Sequence, residues 1–309
     1  MPLGLCVNSS APPPWELFDL LANRWRNCFM RSSDAKLLQF DEVGDWSELK
    51  LEILKKYASA YSAILAKKNL HHAYIEGFAG AGQHISKRSK ELIPGSPQNA
   101  LNIEPPFEEY YLVDLNSARA EELRRQTADK SNVHVYCGDS NEILISEVFP
   151  KIQYKDYKRA LCILDPYGLH LNWKVIAAAA ELRTIEIFLN FPILDMNRNV
   201  LWRNDGASDD DVNRMNSFWG DDSWRQVAYR SDTTLFGELE KQPNEVIAHA
   251  FRDRLRKVAG FACVPEPAPM RNSRGTVVYY LFFAAQQPTA QKIVTEIFDA
   301  YRKRGILHG

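Results

Sequence analysis

The ten residues Ala73-Tyr74-Ile75-Glu76-Gly77-Phe78-Ala79-Gly80-Ala81-Gly82 constrain this 309-residue chain more than any other stretch. They read as a short buried strand, with Tyr74, Ile75 and Phe78 as its apolar part, that meets the carboxylate of Glu76 and runs into a glycine turn. Gly80 and Gly82 let the backbone turn sharply and approach a ligand with no side chain in the way. The same connection also serves any α/β protein that needs a tight turn after a strand.

The pattern around this stretch places it. Ahead of it, Leu49, Ile53, Leu54, Tyr57, Tyr61, Ile64 and Leu65 recur at helical spacing, while Lys50, Glu52, Lys55 and Lys56 lie mostly elsewhere on the wheel, so a long amphipathic helix leads into the strand. Behind it come four more strand-like runs: Tyr110 to Asp114, Val133 to Tyr136 closed by Gly138-Asp139, Ala160 to Leu164 stopping at Asp165-Pro166-Tyr167-Gly168, and Thr184 to Leu189. Helical segments separate them, as in a doubly wound parallel sheet. Four of the five end in an acid, Glu76, Asp114, Asp139 or Asp165. Ligands of such sheets bind beyond the carboxyl ends of the strands, so these acids are expected to line one crevice.

Between the glycine turn and Pro94 lies a polar, basic stretch with His84, Lys87, Arg88 and Lys90, read as a flap over the ligand or a surface loop. Ser96 is expected to cap a helix whose first residue is Pro97. Residues 193 to 245 break the strand-helix rhythm with Asp205, Asp209, Asp210 and Asp211 and with Trp202, Phe218, Trp219 and Trp224, which suits an inserted helical subdomain or lid. Glu245 to Val258 returns to helix, and its Arg252, Arg254, Arg256 and Lys257 form either a phosphate-contacting or a solvated face. Two strands, Phe261 to Val264 and Thr276 to Phe283, and a helix from Pro288 to Arg304 close the chain. Residues 1 to 45 read as an N-terminal extension, with a loose Pro-rich start and a helical pattern from Trp15 to Met30.

Composition narrows the function classes. Lys plus Arg (38) nearly cancels Asp plus Glu (39), so any nucleic-acid surface has to be a local patch. The five cysteines, Cys6, Cys28, Cys137, Cys162 and Cys263, include no Cys-x-x-Cys pair, which argues against a zinc site and a disulfide framework and suits a reduced cytoplasm. With no signal-peptide pattern and no apolar run near the roughly 18 residues of a membrane span, a cytoplasmic protein is expected.

The run Glu76-Gly77-Phe78-Ala79-Gly80-Ala81-Gly82 resembles the acid-x-Phe-x-Gly-x-Gly loop that binds S-adenosylmethionine (SAM) in class I methyltransferases, particularly those acting on exocyclic amines. The dinucleotide fingerprint fits less well, because Ile85 stands where its third glycine belongs. SAM offers two ribose hydroxyls, an adenine amine and a sulfonium, and so needs acceptors spaced along a strand-end crevice. Glu76 with Gly77, Phe78, Gly80 and Gly82 would serve the methionine and sulfonium end, Asp114 the ribose and Asp139 the adenine. Asp114 before Asn116 and Asp139 before Ser140 also suit helix caps. In Asp165-Pro166-Tyr167-Gly168, Asp165 and the Pro166 carbonyl could accept from a target amine while Tyr167 stacks on a flat substrate, and a strand simply stopped by proline is the plainer alternative.

Taken together, Lys50 to Tyr57, Tyr74 to Gly82, Gly95-Ser96-Pro97 with Ala100-Leu101, Val113-Asp114, Gly138-Asp139, Leu164 to Gly168, Asn190-Phe191 and Tyr279 to Ala284 resemble the three-Cys-motif partner family of bacterial and phage proteins. The resemblance covers most of residues 46 to 309. It implies a Rossmann-like class I methyltransferase fold, a doubly wound, mostly parallel sheet with an antiparallel C-terminal strand and a helical insertion. It also implies SAM as cofactor and a partner protein carrying three cysteines. Glu76 replaces the usual aspartate, and the Asp-Pro-Pro-aromatic signature of amino methyltransferases lacks one proline here. The expected function is therefore N-methylation of an amine in nucleic acid or a nucleotide, with a non-catalytic SAM- or nucleotide-binding partner protein as the alternative.

Overall fold

The computed structural model describes residues 42–43, 45–86, 91–202, 206–230 and 240–304. The helical pattern proposed for Trp15 to Met30, Cys6, Cys28, Asp205 and the basic residues Lys87, Arg88 and Lys90 lie outside them. After a two-residue strand, Glu42–Val43 (β1), the long helix Asp45–Lys67 (α1) leads into His71–Glu76 (β2), as its apolar spacing requires. The stretch read as a flap or a surface loop contains two antiparallel strands, Gln83–Ser86 (β3) and Leu92–Pro94 (β4), with β1 added in parallel to β3.

The short helix Ser96–Leu101 (α2) is followed by Glu109–Asp114 (β5), Ser117–Gln126 (α3), Val133–Cys137 (β6) and Ser140–Ile143 (α4). Then come Lys158–Leu164 (β7), Trp173–Leu182 (α5) and Ile185–Phe191 (β8). The region that breaks the rhythm contains Ile193–Met196 (α6), Asp209–Trp219 (α7), Trp224–Ala228 (α8) and a minimal ribbon of Tyr229–Arg230 (β9) with Glu240–Lys241 (β10). Asn244–Lys257 (α9), Ala268–Arg271 (β11), Val277–Ala284 (β12) and Pro288–Lys303 (α10) finish the chain.

Seven strands form the main sheet in the order β6-β5-β2-β7-β8-β12-β11. Ranked by chain order within that sheet this is 3-2-1-4-5-7-6, parallel except for β12, which runs against both neighbours. That is the Rossmann-like methyltransferase fold. Its switch point falls between β2 and β7, where the order reverses and successive crossovers leave opposite faces. The partner of β12 is not the expected Phe261 to Val264, from which only Cys263 bridges to Ala285; it is Ala268–Arg271, an edge strand that tolerates Pro269 because one side of it needs no ladder donor.

Alternate residues of each strand feed two cores. On one face α1, α2, α3 and α10 pack over Tyr74, Leu112, Ile163 and Phe188. On the other, the tryptophan-rich region is fused into the sheet's own core: Phe251 of α9 lies 4.6 Å from Phe191, 5.4 Å from Trp219 and 5.4 Å from Phe282, centroid to centroid. Trp219 and Trp224 are buried there, and Trp202 alone of the three in this region is exposed. Aromatic pairs at these separations add to the burial of their area, which fixes the region on the sheet rather than as a lid.

Candidate functional site

The glycine turn is held from below by backbone and from the side by α3. Gly77 N–H donates to the Ile163 carbonyl at 3.0 Å and Ala79 N–H to the Val113 carbonyl at 2.9 Å, so the turn is pinned to strands on both sides of β2. Gln126 Nε2 donates to the Ala81 carbonyl at 3.2 Å. Gly82, at φ +77°, could not carry a side chain: a Cβ would come 2.8 Å from Gln126 Oε1 and 3.0 Å from Leu123 Cδ2. Gly80, at φ +66°, has open space where a Cβ would stand, with nothing within 4 Å. Gly77 and Phe78 pack inward, Gly77 against Leu144 and Leu164 and Phe78 against the same core.

Asp114, buried at the end of β5, braces that turn. Its Oδ2 accepts from Gly80 N–H at 2.8 Å and its Oδ1 from Asn116 N–H at 2.8 Å. The helix cap of α3 is Asn116, whose Oδ1 accepts from Ala118 and Arg119 N–H, so the cap reading of Asp114 does not hold. For Asp139 it does: the residue is exposed and its Oδ1 accepts from Asn141 N–H at 2.9 Å as the N-cap of α4. Asn141 in turn donates to the His170 carbonyl at 3.0 Å, tying α4 to the loop that follows β7.

Glu76 is 2% exposed, and among the described residues it is bonded by hydroxyls and not by a cation. Tyr74 Oη donates to its Oε2 at 2.9 Å, and Ser96 Oγ donates to its Oε1. Ser96 therefore sits inside α2 with its hydroxyl turned to the glutamate, and Gly95 takes the cap position it was expected to fill. Burial pushes the Glu76 carboxyl up to about 8, the two hydroxyls pull against it, and the nearby Asp165 adds to the rise. Burial therefore favours the protonated form of Glu76 near neutral pH.

Asp165, one residue beyond β7, is gripped from two sides by Lys50 Nζ of α1 and Asn190 Nδ2 of β8. Asn190 Oδ1 is buried without a hydrogen-bond partner among the described residues. Pro166 is buried, and the Tyr167 ring is 90% exposed beside it. The structure thus brings Glu76 and Asp165 together at the switch point, sets Asp114 on the glycine turn one strand away, and leaves Asp139 in a separate capping network.

Lys50 and Asn190 were missed as site residues. Lys50 had been placed off the apolar stripe, yet it precedes Leu54 by four residues and Tyr57 by seven, so it continues the buried face of α1 over the strand ends. A lysine on an apolar helical stripe was the available signal. Asn190 closing the apolar run of β8 was the other. Among the described residues no group of three His, Cys, Asp or Glu side chains is placed to hold a metal ion, and no helix is long and apolar enough to cross a membrane.

The sequence matches no family profile and no curated protein sequence. Among solved structures the chain is similar to protein LPL1258 of Legionella pneumophila, with a TM-score of 0.48 and 13% identity over 81% of this chain and 92% of that one. It is also similar to magnesium protoporphyrin IX methyltransferase (ChlM) of Synechocystis PCC 6803, solved with bound SAM, with a TM-score of 0.35 and 10% identity over 91% of this chain and all of that one.

Proposed function

We propose that this chain is a SAM-dependent methyltransferase acting on an amine of a nucleic acid or nucleotide. The observation that carries the reading is the open space over Gly80, braced by Asp114, one strand away from an anchored acceptor group at the switch point. SAM, when bound, supplies an electrophilic methyl group. The chain's own part is to hold and orient. The Gly80 to Gly82 turn leaves room for the methionine portion, Asp114 retains lone pairs for ribose hydroxyls, and Asp139 has a second oxygen free of its capping bond for the adenine amine.

Asp165, fixed by Lys50 and Asn190, is the acceptor for the target amine, and the unpartnered Asn190 Oδ1 is a second acceptor beside it. The Pro166 carbonyl and the exposed Tyr167 ring complete the set, the ring as a stacking face for a flat substrate. Glu76 borders the sulfonium end, its carboxyl held by the Tyr74 and Ser96 hydroxyls.

One observation favours the runner-up, a non-catalytic SAM- or nucleotide-binding module serving a three-cysteine partner protein: both carboxylate oxygens of Asp165 are already engaged by the protein's own side chains. Two measurements separate the readings. SAM should give a saturable heat and raise the melting temperature of the wild type, with affinity reduced about tenfold or more in Asp114→Ala. Labelled methyl transfer to total nucleic acid should be present and lost in Asp165→Ala. Binding without transfer favours the module, and neither heat nor thermal shift removes the cofactor reading.

A further inference from the structure

A cavity lies at the other end of the sheet, under the amino ends of β7 and β8 and the start of α10. It holds about 220 Å³. Its walls are largely apolar, from Ile64, Leu65, Leu70, Ile185, Ala290 and Ile293. Three cations, Lys68, Arg159 and Arg183, share the lining with a single acid, Glu186.

Some polar groups there are committed elsewhere. Thr184 Oγ1 donates to the Ile152 carbonyl at 2.7 Å, and Gln286 Nε2 to the Gly260 carbonyl at 3.1 Å. Two others bear on a ligand. The Tyr61 hydroxyl, on a side chain only 6% exposed, is buried with no partner. Arg159 uses Nη1 on the Lys158 carbonyl at 2.7 Å and is steadied over the Tyr154 ring at 4.4 Å, which leaves further guanidinium donors in place and oriented. An unpaired buried hydroxyl is costly, and such groups are retained where something satisfies them.

We propose that this cavity is a second ligand site, separate from the crevice beyond Gly80, and that it takes a small planar organic carboxylate with an aromatic or similarly flat apolar body. The charge balance selects an anion, because three cations outnumber one carboxyl even when Glu186 is ionised. The guanidinium fork of Arg159 matches a carboxylate through two parallel hydrogen bonds, which a spherical or neutral head does not use as well. Room for one ring plus its carboxylate follows from the volume, since a cavity of roughly 150 Å³ already accepts benzene. Tyr61 supplies a donor, and Glu186, held by Tyr57 Oη at 2.5 Å through Oε2, keeps its other oxygen for a ring hydroxyl or amine.

The test is titration of the full chain with benzoate by calorimetry, with ligand-observed saturation-transfer NMR as a second readout. Wild type should bind saturably in the millimolar range or tighter. Arg159→Ala should weaken binding about tenfold or more, the loss of a charge-assisted pair, and Tyr61→Phe by roughly threefold to tenfold without lowering the melting temperature. Benzyl alcohol should bind at least about tenfold more weakly than benzoate, and inorganic phosphate should not compete. No saturation at about 10 mM benzoate, wild-type affinity in both variants, or phosphate binding more tightly than benzoate overturns the proposal.

Discussion

Two enclosed glutamates stand at opposite ends of the same sheet, and they differ in what surrounds the carboxyl. Glu76, at the carboxyl end of β2, takes a hydroxyl on each oxygen and is buried. Glu186, near the start of β8, takes one hydroxyl, from Tyr57, and lines a cavity. Loss of water raises both, to about 8 and about 7, from an ordinary carboxyl value of 4.5. One helix links them: α1 presents Lys50 to the first end and Tyr57 and Tyr61 to the second, about 10 Å and about 16 Å further along at roughly 1.5 Å per residue. The lesson is that raised carboxyl pKa values mark enclosure at both ends, whereas unspent donors and free space mark where a ligand can enter.

Both ends hang on the aromatic core under the sheet, so the harshest way to break the contrast is to remove its hub. Phe251 is fully buried among Trp173, Phe191, Phe218, Trp219 and Phe282. Phe251→Ala should lower unfolding free energy by about 3–5 kcal/mol in urea denaturation, through lost burial and the cavity left behind. A loss below about 1 kcal/mol would mean that the tryptophan-rich region is not part of the sheet's core.

The pH dependence sharpens the comparison next. Below pH 4.5 the folded and unfolded states both hold the glutamate proton. Above it the unfolded carboxyls ionise while the folded ones do not, so stability falls as pH rises, through about 7 for Glu186 and on to about 8 for Glu76, then levels. Each group contributes at most about 1.4 kcal/mol per pH unit in its window. Glu76→Gln should flatten the slope between pH 7 and 8 and leave stability near pH 5 little changed, measured by urea titration at several pH values. A slope unaltered by Glu76→Gln would show that Glu76 is ionised when folded.

The smallest expected effect distinguishes the two tyrosines at the cavity. Tyr57→Phe leaves Glu186 without its donor and should cost about 1–2 kcal/mol, whereas Tyr61→Phe removes an unpartnered hydroxyl and should be neutral or slightly stabilising. Equal losses in both would place a hidden partner on Tyr61.

Much of the frame was legible because it is written locally. The spacing of Leu54, Tyr57 and Tyr61, the continuous run Ala160 to Leu164 and the helix Ser117 to Gln126 each follow from a period or a cap within a few residues. The pairing of β3 with β1 and β4 is not legible, because nothing in the polar composition of a stretch that reads as a flap or a surface loop announces it. Phe261 to Val264 looked the better strand by composition, yet the proline-containing Ala268–Arg271 won the edge beside β12, where length of connection and register decide.

The sequence by itself determined that strands of this chain end in acids beside a glycine turn, since side-chain period and turn chemistry act over a handful of residues. Only the tertiary structure decided what surrounds each of those acids. Burial and hydrogen-bond partners are set by folding, and those partners, Lys50 for Asp165 and Ser96 for Glu76, arrive from 115 and 20 residues away.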